Sequence, residues 1–465
     1  MNFTEKDRSH IFIVLLQACI IGAFMHTALI TALAPIMQDL SLDAGTVQWL
    51  VSSFTLVQGI TILTTPFLIK RLPCRLLFAT SMAAFSIGLL LSALSPSFTI
   101  LLVGRIFQAA AIGVLTSLAQ VMILISYPAE KRGSIMGVFG LAVGVAPVLA
   151  PTLSGIVVDL FGWRMIFLGT LIYSLVVFVS GSVFMKNISK LEEDVSFDTP
   201  SLALCSIGFT GIVVGMGNWG ANNLIGFAVM LPVAVGFGAM FLFVRRQLVI
   251  SKPFLNMTVF SNREFCVAVI ASMIMFCGMI ATSTLLPLYI QHMRGFNATI
   301  SGLITMPGAL LIALISPVAG KIYDKVGILK LYLVGSGFLI LGNIVLIFLD
   351  GTTTILAIIG MFSFRQIGIG LLLMPVFTWG MSTLDVKYTS DGTAVLTSLR
   401  TVAGAIGSAL FVSIMVAATT GDTVLEMIRG LNVAFIGIAV LTLGMPLIIL
   451  IPFGRGRQYL GKTIH

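Results

Sequence analysis

Long uncharged runs, repeated along the whole chain, constrain this sequence more than any other feature. Residues 265–290, for example, contain no Asp, Glu, Lys or Arg. A helix needs about 20 apolar residues to cross the hydrocarbon core of a bilayer. In lipid every backbone polar group must be satisfied internally, so helices and closed barrels are the only spanning structures. These runs are continuous and do not alternate over short strands, so they predict helices. Fourteen spans are predicted, at 11–34, 47–69, 76–95, 99–126, 134–158, 165–185, 201–217, 225–244, 265–290, 300–321, 329–349, 354–380, 393–418 and 430–452. The seventh and eighth are glycine-rich and separated only by "GNWGANN". Composition agrees with this reading. The chain is 58% hydrophobic and 9% charged, whereas a soluble domain carries about 25% charged residues.

A net charge of +9 invites a nucleic-acid reading, and the positions of the charges argue against it. With the N-terminus in the cytoplasm and the spans alternating, 20 Lys and Arg fall on the cytoplasmic side and 3 (Arg164, Arg294, Arg429) on the other. Three more (Arg105, Arg365, Arg400) fall inside spans. That is the positive-inside asymmetry. Miscounting one central helix would invert half of it. The bias therefore predicts an even number of spans with both termini cytoplasmic. Five cysteines stand singly, in no spacing that suits a zinc site or a disulfide framework. No Walker loop, catalytic triad or metal cluster is apparent. The sequence thus predicts no enzyme activity, no cofactor and no metal. Nor does the first apolar run end as a cleavable signal would.

The chain carries an internal repeat of the kind found in transporters. "PFLIKRLPCR" (66–75) follows the second span and "GKIYDKVGIL" (320–329) follows the tenth. The fourth span holds "LLVGRIFQAAAIG" (101–113) and the twelfth "MFSFRQIGIG" (361–370), each placing an arginine before small residues. This predicts six-helix bundles over 1–199 and 251–465, with two inserted helices over 200–250.

Several motifs resemble the major facilitator superfamily, and more closely its fourteen-helix drug–proton antiporters of the EmrB/QacA type. "GVAPVLAPTLSG" (144–155) resembles the fifth-helix antiporter motif, with Gly144, Pro147, Pro151 and Gly155 in place. "GRIFQ" (104–108) resembles the fourth-helix arginine motif. "YPAEKRGSIMGVFG", "WRMIF", "LPLYIQ" and "SLRTVAGAIGSALF" also match landmarks of the family. The resemblance implies an all-α integral membrane protein with the major facilitator fold. It also implies gating roles for the four fifth-helix residues and for Gly320, Asp324 and Gly327, the second copy of the loop motif. Two departures stand out. The first loop motif has Pro66, Lys70 and Pro73 where the family has glycine, aspartate and glycine. His26, in "MHTALITALAP", occupies the place of a common first-helix acid.

An ionisable residue inside a membrane is costly and marks function by default. Arg105 shares a small, polar helix face with Gln108, Ala109, Ile112 and Thr116. Together with Gln108, Arg365 and Arg400 it is a candidate for the field around a proton site or for the substrate pathway. Each arginine has a structural alternative, satisfaction by helix carbonyls. Arg400 faces Gly404 and Gly407 and stands near a cytoplasmic end, where it could snorkel. His26 could titrate in proton coupling or simply lock helix packing. Prolines and glycines of the fifth helix permit bending or close packing. Asp324 could latch the tenth–eleventh turn or remain a solvated loop charge. Phe54, Tyr289 and Gln291 are pocket candidates among many Met and Phe.

The acids lie mainly in loops or at helix ends, and none sits plainly mid-membrane. The expectation is a proton-coupled exporter of amphipathic small molecules in a bacterial cytoplasmic membrane, conferring drug resistance. Its expected partners are protons, a small amphipathic substrate and lipid, with no nucleic acid. Neutral, zwitterionic or anionic substrates fit better than dications. A dedicated metabolite or organic-anion exporter, or a sensor or scaffold that does not transport, are the alternatives.

Overall fold

A computed structural model describes residues 5–127, 149–185, 198–219, 226–250, 257–385, 388–421 and 423–453, with isolated positions 135, 139 and 146. Among these residues, 13 helices are long and apolar enough to cross a membrane. In chain order they and one shorter helix are α1 (Glu5–Asp39), α2 (Trp49–Arg71), α3 (Cys74–Ala93), α4 (Phe98–Ser126), α5 (Leu149–Phe161), α6 (Arg164–Phe184) and α7 (Thr199–Asn218). The rest are α8 (Phe227–Val249), α9 (Arg263–Leu288), α10 (Ala298–Val326), α11 (Ile328–Leu346), α12 (Ile355–Ser382), α13 (Thr389–Ala418) and α14 (Val424–Leu443). The shorter one is α5, the described end of the predicted fifth span; the remainder of that span, with Gly144 and Pro147, lies outside the described residues.

Helix starts follow the local chemistry. Asp198, Asn262, Asn297, Thr354 and Thr423 each accept a first-turn N–H at the heads of α7, α9, α10, α12 and α14, taking up donors that a helix leaves unpaired. Gly327 ends α10 with φ 78°. Only glycine adopts that conformation freely, and it turns the chain directly into α11.

The helices α1, α2, α3, α4 and α6 pack among themselves through α3–α4, α2–α4, α3–α6, α1–α6 and α1–α4. The last six do likewise through α10–α12, α9–α13, α11–α12, α13–α14 and α9–α12. The α7–α8 pair packs tightly on itself and lies against α13 and α2. Small residues permit these contacts. A Cβ on Gly88 of α3 would lie 2.6 Å from the Gly104 carbonyl oxygen of α4. Close backbone approach of this kind is what drives helix association in lipid. Large side chains point outward: Leu160, Phe227, Leu248, Leu314 and Leu356 are all exposed, as a lipid-facing surface requires.

The two groups of helices meet along α2–α13 and at the ends of α5 and α10. The Ser398 hydroxyl donates to the Gly59 carbonyl at 2.6 Å. At the other contact, Asp159 at the end of α5 accepts the Ala298 N–H at 3.3 Å and the Thr299 N–H at 2.9 Å. Asn297 takes the Ile300 N–H at 2.9 Å. The α10 N-terminus is therefore capped partly by its own residue and partly by a carboxylate from the opposite half. That placement suits the positive end of a helix dipole.

Candidate functional site

A cavity of about 330 Å³ lies between the two groups of helices, within the size range of small-molecule pockets. α1, α2, α4 and α5 wall one side and α9, α10, α12 and α13 the other. Most of the wall is apolar, including Ile30, Ile62 and Ile112 facing Phe276, Met279 and Leu286. Hydroxyls are scattered over both sides, and the stronger polar groups are His26 and Gln58 on one side and Gln366 and Arg400 on the other. No Asp or Glu lines it. Every described acid stands in a loop or within about a turn of a helix end.

Of the five predicted pathway residues, the structure brings His26 and Arg400 into the cavity wall. His26 Nε2 is buried and has no hydrogen-bond partner among the described residues. Its ring lies 5.2 Å from that of Phe54. On the same ring rests the Arg105 guanidinium, 4.1 Å from the centroid. Phe54 thus contacts both His26 and Arg105 and is itself fully buried, outside the cavity wall. Arg400 does not snorkel to an interface. It packs over Phe276 and Phe377, at 4.7 and 5.4 Å.

Arg105 on α4 and Arg365 on α12 are both fully buried. Neither reaches the cavity wall. Arg105 donates from Nη1 to Gln108 Oε1 at 2.8 Å. Gln108 in turn donates to the Gly88 carbonyl at 3.0 Å and to Ser92 Oγ at 2.9 Å on α3. Arg365 donates from Nε to Asn343 Oδ1 of α11 at 2.6 Å and from Nη1 to Gln366 Oε1 at 3.2 Å. Both arginines are held by neutral amides, Arg105 by Gln108 of its own helix, itself anchored to α3, and Arg365 by Gln366 of its own helix and Asn343 of α11, and no carboxylate pairs with them among the described residues. The described ion pairs lie at helix ends: Arg164–Asp39 at 2.7 Å and Arg246–Asp198 at 2.9 Å.

Tyr289 and Gln291 stand beyond the cavity in a short π-helical turn after α9. The Tyr289 hydroxyl donates to the Asp350 carbonyl at 2.6 Å. Gln291 Nε2 donates to the Thr31 carbonyl of α1 at 3.1 Å, tying the two groups of helices together at that end. Asp350 organises the loop beneath Tyr289. Hydrogen bonds from Thr353 and Thr352 hold its carboxyl down at about 2. Pro151 lines the cavity, and Gly155, one turn on, packs against the first turn of α10. Gly320 lies in open space and Gly327 makes the α10–α11 turn. The Asp324 side chain lies outside the described residues.

Sequence reading missed Gln58 and Gln366, which line the cavity. Each is an amide in an apolar span, and that was the available signal. It also missed Asp159, whose partner is 140 residues away.

The arrangement offers an apolar body a few hydrogen bonds and the Arg400 guanidinium. Known proteins agree with that. An uncharacterized MFS-type transporter of Bacillus subtilis, YcnB, is 36% identical over 441 residues, covering 94% of this chain and 93% of that protein. The lincomycin resistance protein LmrB of Bacillus subtilis is 38% identical over 414 residues, covering 88% of this chain and 85% of that protein. The crystal structure of a peptide transporter, POT, in complex with sulfate superposes with a TM-score of 0.70 over 96% of this chain and 94% of that one. At 16% identity that likeness speaks for the fold alone. The sequence profile described as Major Facilitator Superfamily matches residues 15–408. The chain therefore belongs to the Major Facilitator Superfamily, a family of multi-pass membrane transporters and not of enzymes.

Proposed function

We propose that this chain is a proton-coupled exporter of amphipathic small molecules in a bacterial cytoplasmic membrane. It would work by alternating access, with fourteen spans, both termini cytoplasmic and α7–α8 inserted between two six-helix bundles. The observation that carries this reading is the mostly apolar cavity between the two groups of helices, with an unpartnered imidazole in its wall. A neutral imidazole is cheaper to bury than a carboxylate. It can carry a proton from one side to the other as the cavity opens to each in turn. Arg105, which rests on the Phe54 ring beside His26, adds a fixed positive charge close to the imidazole. The α5–α10 contact would be the closed extracellular gate, since alternation of charged loops puts Asp159 on that side. The name of the LmrB relatives, lincomycin resistance protein, supports efflux of toxic compounds.

The test is uphill substrate accumulation in proteoliposomes driven by an imposed pH gradient, with an internal pH dye to follow protons. His26→Gln should abolish uphill accumulation while leaving downhill exchange. Intact uphill accumulation by the variant would remove His26 as proton carrier. Absence of any substrate-dependent proton flux in the parent protein would favour a sensor or scaffold.

A dedicated organic-anion exporter is the second reading, favoured by the cationic and acid-free cavity wall.

A further inference from the structure

We infer that the cavity selects amphiphiles carrying one negative charge, a carboxylate or sulfonate on an apolar body, and that Arg400 receives the anion. This rests on the transport reading above and sharpens it. A guanidinium offers five N–H donors in a planar fork. Among the described residues no hydrogen-bond acceptor and no carboxylate reaches that of Arg400, and its Nε is buried without a partner. Arg105 and Arg365 differ in place and in having an amide partner: neither reaches the wall, and Gln108 accepts from the one and Asn343 and Gln366 from the other, while Arg105 Nε and Nη2 and Arg365 Nη2 are also buried without a partner among the described residues. What Arg400 does have is two aromatic faces, Phe276 and Phe377. Stacking fixes the plane of a guanidinium and leaves its edge for a bidentate acceptor. Buried donors without acceptors are costly, so this edge calls for an oxygen that the protein does not supply.

Charge balance points the same way. Arg105 and Arg365 lie buried near the cavity with no carboxylate paired to them among the described residues, and Arg400 stands in its wall. The field inside is positive, and in a low-dielectric interior it is weakly screened. A cationic guest would meet no counter-charge, whereas an anionic one would meet Arg400 directly. The rest of the wall sets the remainder of the guest. Phe276, Met279 and Leu286 suit an apolar or aromatic body, and Gln58 and Gln366 can hydrogen-bond one polar substituent.

The full-length chain, reconstituted in phosphatidylcholine liposomes that carry no anionic headgroup, is assayed with nalidixate as anion, chloramphenicol as neutral probe and ethidium as cation. The expected order is nalidixate above chloramphenicol, with ethidium not moved. Arg400→Gln should raise KM for nalidixate by about 10- to 100-fold, the range for charge-assisted hydrogen bonds, and that for chloramphenicol by much less. Arg400→Lys should recover part of the loss, because an ammonium keeps the charge and lacks the fork. Wild-type protein alone already decides the matter if the variants fold poorly. Ethidium moved as well as nalidixate, or chloramphenicol moved with nalidixate excluded, overturns the anion inference and leaves transport standing. Equal effects of Arg400→Gln on both probes overturn it as well. Loss of nalidixate transport on adding phosphatidylglycerol would identify the anion as a lipid headgroup and overturn the soluble-substrate assignment. No movement of any probe by the wild type takes down the transport reading and this inference together.

Discussion

Gly155→Ala tests the contact that closes one end of the cavity. The added Cβ would lie 2.7 Å from the Ala298 carbonyl oxygen, 2.8 Å from Thr299 Cα and 2.9 Å from Ala298 C. All three are backbone atoms in the first turn of α10, so no side-chain rotation relieves them. Ordinary contact begins near 3.4 Å, so the two helices must part by several tenths of an ångström. Overpacking of this kind costs about 1–3 kcal/mol. Alanine also gains about 1 kcal/mol over glycine in helix propensity, but that gain applies whether the end is closed or open and cancels between the two. The penalty falls on the closed form alone and shifts the equilibrium by about 5- to 150-fold. The same separation strains the hydrogen bonds from Ala298 and Thr299 to Asp159, one turn further along α5. Nitroxide labels at the exposed positions Leu160 and His292, with the partly exposed Cys266 replaced by serine, report the α5–α10 end by pulsed dipolar spectroscopy. A longer distance population should appear or grow in the variant. Gly169→Ala in α6, where a Cβ meets nothing within 4 Å, serves as control and should leave the distribution alone. An unchanged distribution in Gly155→Ala would mean that the helices absorb the methyl group without separating, and the gating argument from this glycine would fail.

Three further outcomes follow from the same geometry. Asn343→Ala removes the acceptor for Arg365 Nε at 2.6 Å, and loss of a buried bond to a charged group should cost about 1.5–3 kcal/mol; an unfolding midpoint within error of the parent's would show that Asn343 does not hold the arginine. Asp159→Asn keeps the shape and removes the charge at the α10 N-terminus, which should weaken the closed end by about 0.3–1 kcal/mol and enlarge the long-distance population at the same label pair, less than Gly155→Ala does. The Asp350 carboxyl is held down at about 2, first by Thr353 and then by Thr352, so its contribution is present above the ordinary carboxylate range and lost as pH falls through about 2. Asp350→Asn should therefore lower the melting temperature near neutral pH, and the gap to the parent should narrow as the buffer is acidified toward pH 3; a gap that widens on acidification would reverse the assigned sign.

The helices were legible because the bilayer makes them so. A run such as 265–290 leaves the backbone no partner except itself, and α9 spans Arg263–Leu288. Glycine-rich spans seven and eight are read correctly for the same reason, although glycine weakens a helix in water; as α7 and α8 their glycines lie at the mutual contact, where a Cβ on Gly211 would lie 2.6 Å from the Pro232 carbonyl.

Placement of the polar residues was legible only in part, because sequence shows a residue's own helix face and not what stands across from it. Arg105, Arg365 and Arg400 each precede small residues on an apolar helix, and by that criterion they are alike. Their fates differ through their neighbours. Arg105 meets Gln108, which is anchored to Ser92 and to the backbone of α3. Arg365 meets Asn343 of α11. Across from Arg400 stand Phe276 of α9 and Phe377 of α12, which give it surface without hydrogen bonds. An amide beside an arginine takes one or two of its donors and pins it, even though Arg105 Nε and Nη2 and Arg365 Nη2 stay without a partner among the described residues. Aromatic faces opposite an arginine orient it and leave its donors open to a guest. The difference in surroundings among three similar arginines therefore resides in what the neighbouring helices set against them, Ser92 and Gly88 behind Gln108, Asn343 beside Arg365 and two aromatic rings beside Arg400, and it emerges only when the helices are packed.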